Sequence, residues 1–399
     1  MKIIQVNAIY DTGSTGKIVK ELHSFYLKQG FDSYVLYGHG IKSNGNCIKV
    51  CSKPYTKFQA LLAKINGMPY GGCFFSTKRI INFIKKNNPD IVHLHCLNSH
   101  VVNIFKLISW LNANKIRTIL TLHAEFMHTA NCPHAYECEK WKTGCGNCER
   151  FRSENKTWFF DRTHHAWVKM KESFEGFQYL TVVSVSPWLS NRAKQSPILA
   201  DKNHIVIFNG VNGDVFHHRE TDIREKFNIK GKYIFHATPS FNHNINDLKG
   251  GYYVIEIAKK MPEYTFVVAG PYGIVEKPKN LILLGEILDQ EILSQLYSAA
   301  ELTLITSKRE TFSMVLAESL CSGTPVAGFY AGAPETIAIE NYCEFAPFGE
   351  TDSLIQKIKL IFSKEYDKKK ISDLAIQKFS NSRMCQEYLE AYQDLINKK

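Results

Sequence analysis

Apolar residues along this chain come in two rhythms that alternate from end to end. Short continuous runs of Ile, Val, Leu, Phe and Tyr read as strands buried on both faces. Between them, apolar positions recur every three or four residues, the spacing of one helical face. In the first half the runs are 2–7, 33–37, 90–96, 117–123, 180–185 and 204–208. Helical spacing follows at 18–26, 101–111 and 187–193, with 13–16 predicted as a turn. The second half repeats the plan, with strands at 233–237, 264–269, 280–284, 302–305 and 325–328. Helices are expected near 251–260, 289–299 and 312–321, and the chain beyond Glu350 turns helical and charged, ending in 382–396. The alternation predicts an α/β protein of two Rossmann-like, doubly wound parallel-sheet domains facing across a cleft. An Asn/Gly cluster and a change of charge put the domains at 1–212 and 213–375. A final helix, 376–399, is expected to cross back onto the first.

Length and composition agree with two folded cores, at 399 residues and 44% hydrophobic content. No run of eighteen apolar residues offers a membrane span. The opening MKIIQVNAIYDTGSTG lacks the features of a signal peptide, so a cytosolic protein is expected. Its eleven cysteines should then be thiols or metal ligands. Charge changes the picture more. Residues 1–210 hold 27 Lys/Arg against 13 Asp/Glu, a net of +14, and residues 211–399 hold 22 against 25, a net of −3. A basic first half favours nucleic acid or an anionic membrane face. Within it, 76–86 (STKRIINFIKK) interleaves cations with Ile80, Ile81, Phe83 and Ile84. It reads as a packed surface helix, with a lipid-touching helix as the alternative.

Candidate chemistry centres on 301–328, ELTLITSKRETFSMVLAESLCSGTPVAG. Glu310 falls at the turn from a strand into a helix and Glu318 about two turns on, along one face. Carboxyl ends of parallel strands are where open α/β sheets bind ligands. Spacing alone favours the bland reading of two solvated carboxylates. Gly13 and Gly16, in DTGSTGK, follow the first strand and could admit an anion to a helix N-terminus, or merely form a tight βα turn. Lys249 precedes a predicted helix, where its charge would add to the helix dipole facing a diphosphate; a capped helix with a solvated lysine is the bland reading. His123 ends a strand at the carboxyl edge of the first sheet and is placed to face a ligand. His93 and His95 alternate with apolar residues and are expected to be buried and hydrogen-bonded. Cys132, Cys138, Cys145 and Cys148 lie in CPHAYECEKWKTGCGNC, with His134 nearby. Four thiols so spaced suit a structural zinc, with reduced cysteines or an iron–sulfur cluster as alternatives.

With these residues in hand, the chain resembles the retaining glycosyltransferases of family 4, of the GT-B fold. The resemblance rests on Glu310-x7-Glu318 followed by Ser322-Gly-Thr-Pro325, on IFNGV at 207–211, on the glycine loop, and on Phe379-Ser380. The cysteine loop, with LHAEF before it and KTGCGNC at its end, is similar to that of colanic-acid-type polysaccharide transferases. The resemblance implies that Glu310 binds donor-sugar hydroxyls near the reacting carbon and that Glu318 holds the ribose. Lys249 would neutralise the diphosphate, and backbone N–H groups around Phe312, Ser313 and Met314 would meet its oxygens or the sugar. His123 would contact the transferred sugar, while Gly13 and Gly16 would border the phosphate and acceptor region. The first domain becomes the acceptor side and the second the donor side, with no cofactor required for catalysis. The family commonly places an arginine shortly before this lysine, yet none occurs between Arg224 and Arg309. Ser240, Asn242, His243 or Arg309 would have to share that task.

The implied partners are a nucleotide-sugar donor, a lipid-linked saccharide acceptor and an anionic membrane surface, met at the inner face of the cytoplasmic membrane. Nucleic acid is not expected, because the cysteine loop lacks a clustered basic helix. A basic zinc-containing nucleic-acid-binding protein and a non-catalytic sugar-nucleotide-binding relative are the alternatives.

Overall fold

A computed structural model describes residues 1–40 and 45–398. Residues 41–44 and 399 fall within the predicted domain spans but lie outside the described residues. The chain forms two compact units, one of Met1–Phe208 with Cys385–Lys399, the other of Asn209–Met384.

In the first unit the strands are β1 (Lys2–Tyr10), β2 (Asp32–Gly40), β3 (Cys47–Lys49), β4 (Ile91–Leu94), β5 (Thr118–Leu122), β6 (Leu180–Ser184) and β7 (Asn203–Val206). They form one parallel sheet in the order β3-β2-β1-β4-β5-β6-β7. Every residue of β4, β5 and β6 is buried, as strands covered by helices on both faces must be. Strand order reverses between β1 and β4, and that reversal opens a crevice at their carboxyl ends.

The second unit contributes β8 (Tyr233–Ala237), β9 (Thr265–Ala269), β10 (Leu281–Gly285), β11 (Leu302–Ile305), β12 (Val326–Phe329) and β13 (Cys343–Ala346). Their order is β10-β9-β8-β11-β12-β13, again all parallel. Here the reversal lies between β8 and β11. Ile234, Phe266, Leu302, Leu304 and Phe329 meet Val254 and Ile257 of the helix Gly251–Lys260 and Leu354 and Ile358 of the helix Thr351–Phe362. Each such side chain fully buried contributes about 1.5–3 kcal/mol. The fold class expected from the sequence, two Rossmann-like parallel-sheet domains, is the one observed.

Three local readings change. Residues 13–16 are not a turn but the first turn of the helix Gly13–Lys28. Gly16 packs against the backbone of Asp11, where an added Cβ would stand 3.2 Å from the Asp11 nitrogen. The expected helix at 312–321 begins at Met314, with Ser313 as its cap. The helix Lys53–Asn66 and strands β3 and β13 were not anticipated.

Candidate functional site

Two loops meet at the reversal point of the second sheet. The loop after β8 ends in Asp247-Leu-Lys-Gly250, and the loop after β11 carries Thr306 to Glu310. Asp247 accepts a hydrogen bond from the Lys249 nitrogen (2.9 Å), a side-chain-stabilised turn. Thr306 Oγ1 donates to the Lys249 carbonyl (3.0 Å), and the Lys308 nitrogen donates to the Leu248 carbonyl (2.9 Å). Gly250 sits at φ +69° with Thr306 O only 2.2 Å from where a Cβ would be. Only glycine lets the loops approach so closely. The outcome is that Lys249 Nζ donates to Glu310 Oε1 at 2.7 Å.

A third segment, unnoticed in the sequence, brackets Glu310. The Glu310 nitrogen donates to the Ala331 carbonyl (2.9 Å), and the Ala333 nitrogen donates to the Glu310 carbonyl (3.2 Å). Glu335 holds that segment in shape by accepting from the Ala331 and Gly332 nitrogens (3.1 and 2.9 Å). The signal was present in AGAPE, where Pro334 opens a helix with an acid in its first turn.

The helix Met314–Cys321 starts four residues after Glu310, and its first N–H groups have no partner within the helix. Ser313 caps it at φ 86°, ψ 86° and accepts from the Leu316 nitrogen (3.3 Å). A non-glycine residue there stores strain that concentrates at functional sites. The Phe312 ring is buried and packs edge-on to Phe379 at 6.1 Å, so only its backbone is suited to a ligand. Glu318 accepts from the Tyr297 hydroxyl (3.4 Å). Burial, then the nearby carboxylate, pushes the Tyr297 phenol well above its ordinary pKa. Of the groups named as substitutes for arginine, Asn242 accepts from the Asn244 nitrogen (2.9 Å) within its own loop. Ser240 and His243 are exposed, and Arg309 is partly buried.

Gly13, Gly16 and His123 belong to the first unit. The N-terminus of the helix Gly13–Lys28 directly follows β1, and His123 follows β5. Its Nε2 lies 3.4 Å from His95 Nδ1, and the two rings stack at 5.7 Å. Beyond them His95 Nε2 reaches Gln5 Oε1 (3.1 Å), and His93 lies between Thr121 Oγ1 (2.8 Å) and the Tyr392 hydroxyl (2.6 Å). Burial lowers the pKa of all three histidines, His123 to about 4. His93 and His95 are therefore buried and hydrogen-bonded, as expected from their alternation. The tie to Tyr392 from the last helix could not be seen locally.

The four loop cysteines line one small enclosed cavity beside Asn131, Trp141 and Gly146. Among the described residues, however, no group of three or more His, Cys, Asp or Glu side chains is arranged to hold a metal ion. As placed, the thiols share a space without forming a ligand set. The loop is anchored instead by Glu125, fully buried, which pairs with Arg192 Nε (2.5 Å) and accepts from the Ala135 nitrogen (2.8 Å). Burial opposes its ionisation, but the His128 ring 3.5 Å away, the Arg192 charge and the Ala135 amide hold its pKa down at about 2. Arg192 also covers the Trp141 ring at 5.0 Å.

Lys249 and Glu310 are thus paired at the reversal point of the second sheet, where open α/β sheets bind ligands, and the helix that carries Glu318 begins four residues further on. Residues 220–378 match the model of the glycosyl transferases group 1 family. Over 419 aligned residues, covering 99% of this chain and 100% of the relative, the chain is 20% identical to the putative colanic acid biosynthesis glycosyl transferase WcaC of Escherichia coli K12. Among solved structures it is similar to sucrose-phosphate synthase of Thermosynechococcus elongatus, with a TM-score of 0.69, 14% identity and 99% of each chain covered. It is also similar to HepE of Anabaena in complex with UDP-glucose, with a TM-score of 0.65, 13% identity, and 99% and 100% of the chains covered. The family match falls within the second unit, and the two parallel-sheet domains have the fold of GT-B glycosyltransferases. Among the described residues no helix is long and apolar enough to cross a membrane.

Proposed function

We propose that this chain is a retaining family 4 glycosyltransferase that moves a sugar from a nucleotide-sugar donor to a lipid-linked saccharide acceptor. The setting we propose is assembly of a bacterial surface polysaccharide at the inner face of the cytoplasmic membrane. The observation that carries the reading is the pairing of Lys249 with Glu310 at the reversal point inside the glycosyl transferases group 1 domain. The similarity to a colanic acid transferase supports the polysaccharide setting. The UDP-glucose bound by HepE supports a nucleotide-sugar donor.

In this reading the donor diphosphate lies against Lys249 and the N-terminus of the helix Met314–Cys321. As the sugar–phosphate bond breaks, negative charge builds on the leaving diphosphate. On the same reading the lysine and the backbone N–H groups of 312–314 meet that charge with little reorganisation. Glu310 holds hydroxyls of the transferred sugar and Glu318 the ribose, and His123, kept neutral at physiological pH by burial, is the sugar-binding residue we assign to the first unit. No catalytic metal is invoked, since lysine and helix dipole supply the countercharge. Gly13, exposed at the start of its helix, and Gly16, packed beneath it against Asp11, border the phosphate and acceptor region in this reading.

Thermal stabilisation by a panel of nucleotide sugars, followed by nucleoside-diphosphate release with the stabilising donor, tests the proposal. We expect one donor to raise the melting temperature, and Glu310→Gln to abolish turnover while keeping that stabilisation. Undiminished turnover by Glu310→Gln would remove Glu310 from the reaction.

A further inference from the structure

The helix Lys53–Asn66 carries its apolar stripe away from the protein. Phe58, Leu61, Leu62 and Ile65 follow the i, i+3, i+4, i+7 spacing of a helix face, yet each is 37–57% exposed, while Thr56 and Ala63 are buried. The same pattern that normally seats a helix on a core here faces solvent.

This stripe is continuous with two further groups of exposed rings. The Trp158 nitrogen donates to the Lys64 carbonyl (2.8 Å), and Lys64 Nζ lies 5.5 Å from the Trp158 ring. Trp158, Phe159 and Phe160 are each about half exposed or more, and the Phe160 carbonyl lies against Gly67, just beyond the end of the helix. On the other side the Cys73 nitrogen donates to Gln59 Oε1 (2.8 Å), which brings up Phe74 and Phe75, 60% and 81% exposed. A lone exposed apolar residue is ordinary. A contiguous field of this kind marks an interaction surface.

Its charge is one-sided. Between residues 33 and 124 the chain has twelve Lys/Arg and a single carboxylate, Asp90. Cations stand at the level of the rings: Lys106 over Phe74 at 5.7 Å and Arg162 over Phe160 at 5.6 Å. Both also line a groove of about 630 Å³ beside Leu62 and Phe74, with His165 and Lys169 and one acid, Glu172. Aromatic rings with long cations around them match the boundary of a bilayer with anionic headgroups.

We propose that the helix Lys53–Asn66, the 158–160 segment and Phe74–Phe75 form a bilayer-docking surface. It inserts its rings among the headgroups of an anionic membrane while the groove receives a lipid phosphate. Two copies of the chain pressed together here would oppose many like charges with few carboxylates, Glu172 and Asp161, to pair them, so a second copy fits poorly. The proposal deepens the reading of a lipid-linked acceptor and rests on it. The helix at 76–86 buries Ile80, Ile81 and Ile84 and so packs as a surface helix, as expected; the neighbouring helix Lys53–Asn66 is the one that faces outwards.

Co-sedimentation of the full chain with phosphatidylcholine vesicles, with and without phosphatidylglycerol, tests the surface. We expect binding to the anionic vesicles that high salt weakens without abolishing, because part of it is apolar insertion. Brominated lipid should quench Trp158, as judged against Trp158→Phe. The double variant Phe75→Asp/Phe159→Asp should lose at least about tenfold in vesicle affinity while its melting temperature and its stabilisation by the donor stay unchanged. Wild-type binding that the double variant retains would overturn the proposal. So would a wild-type dimer that this variant dissociates, with no vesicle binding. Vesicle binding without stabilisation by any nucleotide sugar would instead fault the enzymatic reading and leave the docking surface standing.

Discussion

Lys249 Nζ lies 2.7 Å from Glu310 Oε1, so the cation proposed for the diphosphate and the carboxylate proposed for the sugar are partners of one another. A donor diphosphate would compete with Glu310 for the lysine. Both side chains keep some solvent contact, so the pair itself adds only about 0–1 kcal/mol to stability. Lys249→Ala should therefore leave the melting temperature nearly unchanged. It should lower kcat/KM by about 10²–10³, the usual consequence of removing one pre-placed charge-stabilising donor. Steady-state kinetics beside a thermal scan measures both, and a kcat/KM within threefold of wild type would sink the role.

Glu318 and Tyr297 make a second, quieter pair. The Tyr297 hydroxyl donates to Glu318 Oε2, and its raised pKa keeps it a donor at every working pH. Tyr297 thus positions the carboxylate proposed to hold the ribose. Glu318→Ala should raise the donor KM by about tenfold to a hundredfold, the effect of losing charged hydrogen bonds worth about 1.5–3 kcal/mol. Tyr297→Phe should raise it only a few-fold, with kcat unchanged in both. A fall in kcat with constant KM would place Glu318 at the reacting carbon instead.

The strands of the second sheet were the easiest elements to read. Tyr233–Ala237 and Leu302–Ile305 are apolar runs with sharp polar borders, and both were placed to the residue. Glycines misled at 13–16, where local turn preference yielded to a helix start that needs a small residue against Asp11. Lys249, Glu310 and Glu318 could be picked out by position relative to strands and helices. Their partners could not. Thr306, Ala331 and Tyr297 reach them through the fold, just as Tyr392 reaches His93 across 299 residues. The stripe at 58–65 went unread in the sequence, and only burial shows that it faces outwards.

The cysteine loop calls for a metal measurement. Cys132, Cys138, Cys145 and Cys148 line one cavity, and burial raises the Cys145 thiol to about 12, so without a metal it stays protonated. We propose that the thiols draw together on one zinc. Elemental analysis should then find about one zinc per chain, and chelation should lower the melting temperature. A metal-free protein with four thiols open to titration would leave the loop held by its packing alone.

That packing has its own test in Glu125. The carboxylate is fully buried, paired with Arg192 and bonded to the Ala135 amide. Its folded pKa of about 2 lies below the roughly 4.3 of an unfolded glutamate. The unfolded chain therefore takes up this proton first as pH falls. The contribution, about 3 kcal/mol from a shift of this size, is complete above about pH 4.3 and is lost as pH drops through about 2. Glu125→Gln should cost about 3–5 kcal/mol at neutral pH, because Arg192 is left with its charge uncompensated beside Trp141. It should also flatten the acid limb of the stability curve. Urea unfolding of both proteins at pH 7 and pH 3 reads this directly: the gap between them should narrow at the lower pH. A gap that stays constant would show that the Glu125 charge does not hold the loop.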